Sequence, residues 1–285
     1  MPEPRTDATA THRRVLTTGA SSGIGRELAF AFARRGAAQI LHGRDEERLR
    51  AVADATDRIA RDAGHAPPAP LLLVADLAEA DGVDRLLAGA RADGPVDVLV
   101  NNAGFGTYGP FHAPATDRDE ALVAVNVVAA TRLAKALLPE MVARGRGGVL
   151  NVASTAAFQP GPLAAAYYAS KAYLLHLSEA LSVETHGTGV TVTALCPGPT
   201  RSGFHAHADM GEARLVRTPG LFLRADRVAE AGVRAFERGR RVVVPGFVHA
   251  LGATLLPRLP RPLTLAILRY ANAPVGGTDR GAASG

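Results

Sequence analysis

The sequence predicts an α/β fold, a doubly wound parallel sheet of about seven strands with helices on both faces. Three observations carry that expectation. Short apolar runs alternate with longer amphipathic stretches along most of the 285 residues. The runs are apolar on both faces, which suits strands held between two helical layers. Neither an internal repeat nor a linker interrupts the alternation, so one sheet with right-handed crossovers accounts for it.

The elements follow in order. Arg14 to Thr18 reads as the first strand and Gly23 to Arg35 as the first helix. Gln39 to His42 is the second strand, and Asp45 to Asp62, rich in Arg, Asp and Glu, is a surface helix. After the Pro-rich loop Gly64 to Pro70 come a third strand, Leu71 to Ala75, and a helix reaching about Ala92. Val96 to Val100 is the fourth strand. A long helix over Asp117 to Arg144 follows, with Thr116 as its N-cap and Gly145 as its stop. Val149 to Ala153 is the fifth strand, Ala164 to His186 a second long helix and Val190 to Cys196 the sixth strand. Pro197 to Leu223 reads as irregular. Asp226 to Arg238 is a helix, Val242 to Val244 a short last strand, and Ala273 to Gly285 a frayed end. The chain therefore divides into a short leading segment, 1–13, a body, 14–245, and an extension, 246–285.

Composition removes several function classes. Apolar residues make up 47% of the chain, so a large core can be buried and disorder of the body is not expected. The net charge is +5, but the arginines are spread along the whole length and there is no Trp. Without a compact basic stripe interleaved with aromatics, nucleic-acid binding is not expected. Cys196 is the single cysteine, which excludes an internal disulfide and a Cys-based zinc site. His205 and His207 have no well-placed carboxylate, so no metal is expected. Residues 1–14 lack the apolar stretch of a signal peptide, and the apolar run Leu251 to Leu256 is too short to span a bilayer. A soluble, cytoplasmic protein is the expectation.

Three motifs carry chemistry. The first is Thr18-Gly19-Ala20-Ser21-Ser22-Gly23-Ile24-Gly25, between the first strand and the first helix. Glycines there let the backbone turn tightly and approach a pyrophosphate at the positive helix N-terminus, where Ser21 and Ser22 add hydroxyls. The ordinary alternative is a Gly-rich βα turn. The second is Asn101-Asn102-Ala103-Gly104, just past the fourth strand, where amides can brace a loop bordering a ligand; alone it reads as a simple turn. The third is Ser154 at the end of the fifth strand, with Tyr167 and Lys171 four apart on one helical face. A free Tyr titrates near 10, and a neighbouring ammonium is expected to lower that value. Tyr167 would then give a proton to a carbonyl oxygen as hydride reaches the carbon, with Ser154 bonded to the same oxygen. A lone Tyr-x-x-x-Lys is more often a surface pair. Here, however, Lys171 is one of only two lysines, with Lys135, in an arginine-dominated chain. Tyr168 is the competing tyrosine, one residue out of register.

Cofactor choice is read just past the second strand. NAD-selective proteins place an acidic residue there for the ribose 2′-hydroxyl. This chain has Gly43 and then Arg44, which leave room for a 2′-phosphate and a guanidinium to grip it. NADP(H) is the expected cofactor, with NAD(H) a second option. As the plain alternative, Arg44 opens an exposed charged helix.

With these motifs in order, the chain resembles the short-chain dehydrogenase/reductase family over about Arg14 to Val244. Thr18 to Gly25, Asp76-Leu77, Asn101 to Gly104, Ser154 with Tyr167 and Lys171, and Pro197-Gly198 carry the resemblance jointly. It implies a single-domain Rossmann-like fold and a set of roles. Asp76 and Leu77 would line the adenine pocket. Asn102, with Ala103 and Gly104, would hold the central strands near the cofactor. Pro197 and Gly198 would border the nicotinamide, Thr200 would touch its carboxamide or a phosphate, and Lys171 would also hold its ribose. Asn126 would complete a tetrad with Ser154, Tyr167 and Lys171 by anchoring a water. Read from the residues, Asn126 is odd within the stripe Leu122, Val125, Ala129 and Leu133, and a buried Asn needs a partner. A homodimer or homotetramer built partly from the two long helices is implied as well.

The departure from the family pattern is the extension after Pro245. Arg258, Arg261 and Arg269 make it basic, with no acidic residue before Asp279. It can pack over the pocket or a subunit interface, or lie on a membrane surface. Pro257, Pro260 and Pro262 break any long helix and favour packing. Phe105, Tyr108, Phe158, Leu163 and Phe204 are expected around the pocket mouth, which points to a bulky hydrophobic carbonyl or alcohol substrate. The function read from the sequence is an NADP(H)-dependent carbonyl–alcohol oxidoreductase. The alternatives are a membrane-associated reductase of lipid or acyl-thioester ketones and a non-catalytic NADP-sensing regulator.

Overall fold

The computed structural model describes residues 13–113, 117–202, 213–218 and 220–275. Its strands are β1 (Arg14–Thr17), β2 (Ala38–Gly43), β3 (Leu71–Val74), β4 (Val98–Asn101), β5 (Gly147–Val152), β6 (Val190–Leu195), β7 (Thr200–Arg201), β8 (Leu223–Arg224) and β9 (Val242–Val243). Among the described residues, seven of them form one sheet in the order β3-β2-β1-β4-β5-β6-β9, and β7 pairs with β8 alone. Every pairing is parallel. The chain moves outward from β1 to β3, then crosses back to lay β4 beside β1, with Leu16 opposite both Ile40 and Leu99. That reversal opens a crevice at the carboxyl ends of β1 and β4. The expected doubly wound Rossmann-like architecture is the one observed.

Side-chain alternation explains the two layers. The helices are α1 (Gly23–Ala33), α2 (Glu46–Asp62), α3 (Gly82–Arg91), α4 (Asp117–Ala143), α5 (Ala165–Glu184), α6 (Arg214–Arg217), α7 (Ala225–Glu237), α8 (Phe247–Leu255) and α9 (Arg261–Asn272). Val15, Val98, Val100 and Leu150 point to one face, onto Leu28 and Phe32 of α1 and Val228 and Phe236 of α7. Leu16, Leu99 and Val149 point to the other, onto Leu86 of α3 and Leu133, Leu137 and Met141 of α4. Successive residues thus bury on opposite faces, the period of a pleated strand. Each fully buried large aliphatic contributes roughly 1.5–3 kcal/mol.

Four readings are corrected. The helix α4 is not uniformly α: Ala124–Ala129 wind as a π turn. Asn126 sits in that turn with no exposure, its amide captured by the backbone of Phe105. A π turn inserts one residue, a local distortion often tied to function. Pro197–Leu223 is not wholly irregular. Leu223 N–H donates to Pro199 O at 2.8 Å, which pairs β7 with β8, and α6 forms one turn. Two-residue pairings are too short to leave a periodic signal. Ala273 to Val275 are not frayed. Arg214 N–H donates to Ala273 O, and Pro274 bridges to Ala213. Asp45 caps α2 rather than joining it, its carboxylate accepting from Arg48 N–H. The remaining expectations for residues 1–12, Thr116, Phe204, His205, His207 and 276–285 lie outside the described residues.

The helix α4 is long and apolar enough to cross a bilayer by composition. Its stripe of Leu122, Val125, Ala129, Leu133, Leu137 and Met141 is instead buried.

Leu99 has no exposure and lies between the central sheet and α4. Leu99→Ala is expected to lower unfolding free energy by roughly 2–5 kcal/mol. Val74→Ala on the edge strand, where the side chain is 50% exposed, should change it little. Urea titration of both variants checks the contrast; equal losses would contradict the layered core.

Candidate active site

The crevice begins where β1 and β4 end. Thr18 N–H donates to Val100 O at 3.0 Å, and the Thr18 hydroxyl accepts from the N–H groups of Asn102 and Ala103, both at 3.0 Å. The Asn102 amide returns two bonds, to Thr18 O at 2.9 Å and Gly19 O at 3.1 Å. The Gly-rich turn and the Asn101–Gly104 loop are therefore one hydrogen-bonded unit. Gly19 turns at φ +64°, and a Cβ on Gly25 would lie 2.3 Å from the Asn102 amide nitrogen. No other residue fits that approach. Gly25 packs beneath the turn, whereas Gly19, Ser21, Ser22, Gly23 and Ile24 line the cavity. The N-terminus of α1 faces this turn without a side-chain cap and without an acidic residue in its first turn. Its first N–H groups are thus available to an anion.

The next wall comes from β2 and β3. His42 is buried, and Gly19 N–H donates to its Nδ1 at 3.4 Å while its Nε2 meets Ala75 O at 3.2 Å. Burial pushes its pKa down to about 4, so the ring is neutral and bonds through both nitrogens. Sequence reasoning missed this brace, because a lone His in an apolar strand carries no distinctive spacing. Gly43, Arg44, Asp76 and Leu77 line the cavity here, joined by Arg48. Arg44 is three-quarters exposed and lies 3.5 Å from Asp76. Arg48 pairs with Asp45 at 3.0 Å. Arg44, just ahead of the Asp45 cap, and Arg48, in the first turn of α2, place two guanidinium groups at this end, and a second arginine so close to the strand end was the signal that would have added it.

The opposite end holds Ser154, Tyr167 and Lys171, all lining the same cavity. The Ser154 hydroxyl bonds the Tyr167 phenol and also accepts from Ala156 N–H at 3.1 Å. Lys171 Nζ donates to Val152 O at 2.9 Å and stands 5.9 Å from the centre of the Tyr167 ring. Burial pushes Tyr167 up to about 12, partly offset by Ser154. The expectation of a lowered phenol pKa is thus corrected: desolvation outweighs the Ser154 hydrogen bond, and burial also pulls the Lys171 ammonium down to about 8. At neutral pH the phenol holds its proton. Tyr168, the competitor, is buried beside it and lines the same cavity, with the two rings edge to face at 6.0 Å.

Asn126 lies outside the cavity lining. Its amide donates to Phe105 O at 2.9 Å and to Ser170 Oγ at 3.0 Å, and its oxygen accepts from Phe105 N–H at 3.1 Å. Ser170 in turn donates to Tyr167 O at 2.7 Å. A Cβ on Gly104 would stand 2.7 Å from the Asn126 oxygen and 3.5 Å from Lys171 Nζ. The π turn, the Gly104 loop and α5 are thus in mutual contact. Ser170, unremarked in the sequence, lies inside the Tyr-x-x-x-Lys spacing.

Pro197, Gly198 and Thr200 border the same end, held by Thr155 N–H on Pro197 O at 2.9 Å. The extension supplies the roof. Val248, His249, Ala253 and Leu256 of the α8 segment and Ile267, Leu268 and Ala271 of α9 line a cavity of about 1030 Å³. The His249 ring lies against the backbone of Gly198. Asn272 fastens α9 by donating to Pro162 O at 2.9 Å and accepting from the Tyr168 hydroxyl at 3.3 Å, while the Tyr108 hydroxyl donates to its carbonyl. Of the expected mouth residues, Phe105 lines the cavity. Tyr108 packs beside Tyr167 and Tyr168, and Phe158 packs in the core. Leu163 adopts φ +67°, a strained conformation for a branched residue.

Comparison with known proteins agrees with this geometry. A short chain dehydrogenase of Pseudocercospora fijiensis is 38% identical over 200 residues, 69% of this chain and 62% of that protein. The match therefore spans less than two thirds of that relative. A short-chain dehydrogenase from Sphingobium yanoikuyae, solved in complex with NADPH, superposes with a TM-score of 0.75 at 33% identity, over 92% of this chain and 99% of that one. The bulky-bulky ketone specific alcohol dehydrogenase from Comamonas testosteroni gives a TM-score of 0.71 at 29% identity, over 92% and 96%. Residues 13–212 match the family described as short chain dehydrogenase, and the chain belongs to the short-chain dehydrogenase/reductase family.

Proposed function

We propose that this protein interconverts a carbonyl compound and an alcohol with NADP(H), using Tyr167 as general acid and base. One observation carries the reading. The Ser154 hydroxyl, the protonated Tyr167 phenol and the buried Lys171 meet at one end of a cavity whose other end holds the open N-terminus of α1 and two arginines. The residues present fit a dinucleotide phosphate. N–H groups at α1 with Ser21 and Ser22 would hold the pyrophosphate, Arg44 and Arg48 a 2′-phosphate, and Asp76 and Leu77 the adenine. Pro197, Gly198 and Thr200 would border the nicotinamide, and Lys171 its ribose. When bound, the reduced cofactor supplies the hydride.

The chain's own groups do the rest. Ser154 and Tyr167 hold the substrate oxygen, and Tyr167 gives it a proton as negative charge develops there. Lys171 stabilises the phenolate left behind. Asn126 and Ser170 act as positioning residues, fixing the Gly104 loop and the catalytic helix. The apolar roof favours a bulky hydrophobic substrate, in keeping with the ketone named for the Comamonas neighbour. The intact proton donor speaks against a non-catalytic sensor. Exposed Val123, Val128 and Val142 on α4 and Tyr173 and Val183 on α5 support self-association through the two long helices, as a homodimer or homotetramer.

Tyr167→Phe keeps the ring and deletes the proton donor. Cofactor affinity, followed by NADPH fluorescence, should survive while ketone reduction falls by ~10²–10⁴-fold. A near-normal rate would shift suspicion to Tyr168.

Arg44→Ala should cost kcat/KM with NADPH roughly tenfold to a hundredfold and leave NADH use almost unchanged. Equal losses with both cofactors would show that Arg44 does not read the phosphate.

Lys171 tests the tension between stability and function. Its folded pKa, about 8, lies below the ordinary 10.5. Between those values the unfolded chain binds a proton that the folded chain refuses, so the penalty is full below pH 8 and fades towards 10.5. Lys171→Met should therefore abolish turnover yet stabilise the fold by about 1–3 kcal/mol at neutral pH. The gain should shrink in melts at pH 10. A variant less stable than wild type at pH 7 would contradict this account.

A further inference from the structure

The two helices of the extension carry apolar side chains on their outer faces as well as their inner ones. On α8, Phe247, Val248, Leu251 and Leu255 share one outward face and are 83%, 68%, 46% and 51% exposed. On α9, Leu263, Ile267 and Tyr270 recur at i, i+4 and i+7, opposite the buried stripe Thr264, Leu268 and Asn272. Scattered exposed apolar residues are ordinary, but a cluster on neighbouring helices marks an interaction surface. The helices are tied together, with the Thr264 hydroxyl donating to Leu256 O at 3.1 Å.

Charge names the occupant. Residues 245–275 contain Arg258, Arg261 and Arg269, all exposed, and no Asp or Glu. A second copy seated symmetrically on this face would bring these arginines together without a carboxylate from either segment. An anionic lipid surface complements them. The apolar face is also continuous with the site. Val248 and Ile267 are exposed and line the cavity, so they stand at its rim, with Ala253, Leu256 and Leu268 further in.

We propose that the outer face of α8 and α9 docks this enzyme on an anionic bilayer, and that its substrate is an apolar, membrane-dissolved ketone or alcohol passing over the Val248–Ile267 rim. The substrate half rests on the carbonyl reductase reading; the docking half does not.

The test uses the full chain floated with phosphatidylcholine vesicles, with and without phosphatidylglycerol. Two variants avoid the cavity lining: Arg258→Gln with Arg261→Gln, and Leu251→Gln with Leu255→Gln and Leu263→Gln. Wild type should float with phosphatidylglycerol vesicles and be released by salt. The arginine variant should bind roughly fivefold more weakly per charge removed. The leucine variant should not bind, and both should reduce a water-soluble ketone at the wild-type rate. Reduction of a long-chain ketone dissolved in the vesicles should fall with binding. The salt titration of wild type stands even if a variant misfolds. Absent flotation, or equal flotation with neutral vesicles, overturns docking. So does a leucine variant that only changes the sedimenting mass, which would give the face to a second copy. Docking without turnover of any ketone would sink the reductase reading and leave the surface assignment intact.

Discussion

The site depends on the tie between the ends of β1 and β4. These strands are neighbours only because the chain reverses direction after β3, and the reversal leaves two loops facing one another across a crevice. Thr18 and Asn102 close that gap with reciprocal bonds, so backbone groups that would otherwise be stranded at strand ends are satisfied by each other. Everything that borders the cavity on this side inherits its position from the tie. The Gly-rich turn is held open towards the N-terminus of α1, and His42 carries the bracing one strand further by bonding both Gly19 and Ala75.

A second constraint is polar burial. Asn101 and Asn151 stand opposite one another on β4 and β5, and their amides join at 2.9 Å in the middle of an apolar core. Asn151 passes the chain of bonds to Ser178 on α5, and Asn101 also donates to Ala130 O, just past the π turn. Buried amides are costly unless paired, and paired ones allow few alternative arrangements. Strand, π turn and α5 are thereby set in one register. The same burial disfavours the Lys171 ammonium and holds Cys196, pushed up to about 12, as a neutral thiol. The sheet supplies the stability against which this local cost is set.

The extension completes the enclosure from the far end of the chain. Its helices touch the site through Asn272, which bonds the loop at Pro162 and both Tyr108 and Tyr168, and through His249 on Gly198. Tyr168 thus has a role of its own: both tyrosines line the cavity, but Tyr168 ties the roof through Asn272 while Tyr167 bonds Ser154. Leu163, at φ +67°, lies in the loop so clamped, and a residue in that conformation persists where its surroundings over-determine it.

The sequence by itself determined the layered fold and which residues meet in the crevice. Alternating apolar runs dictate strands buried on both faces, and the turn at Gly19–Gly25, the loop at Asn102 and the trio Ser154, Tyr167 and Lys171 are local patterns whose spacing survives folding. Arg44 was legible for the same reason, since it follows its strand directly. Other features were decided only by the tertiary structure. Asn126 was visible as an odd residue, but its partners at Phe105 and Ser170 are set by a π turn that no periodicity announces. His42 gains its role from two neighbouring strands, and Asn272 from loops more than a hundred residues away. The shift at Tyr167 reversed the sign expected from its neighbour, because desolvation is a property of everything packed around a group, whereas spacing reports one partner at a time.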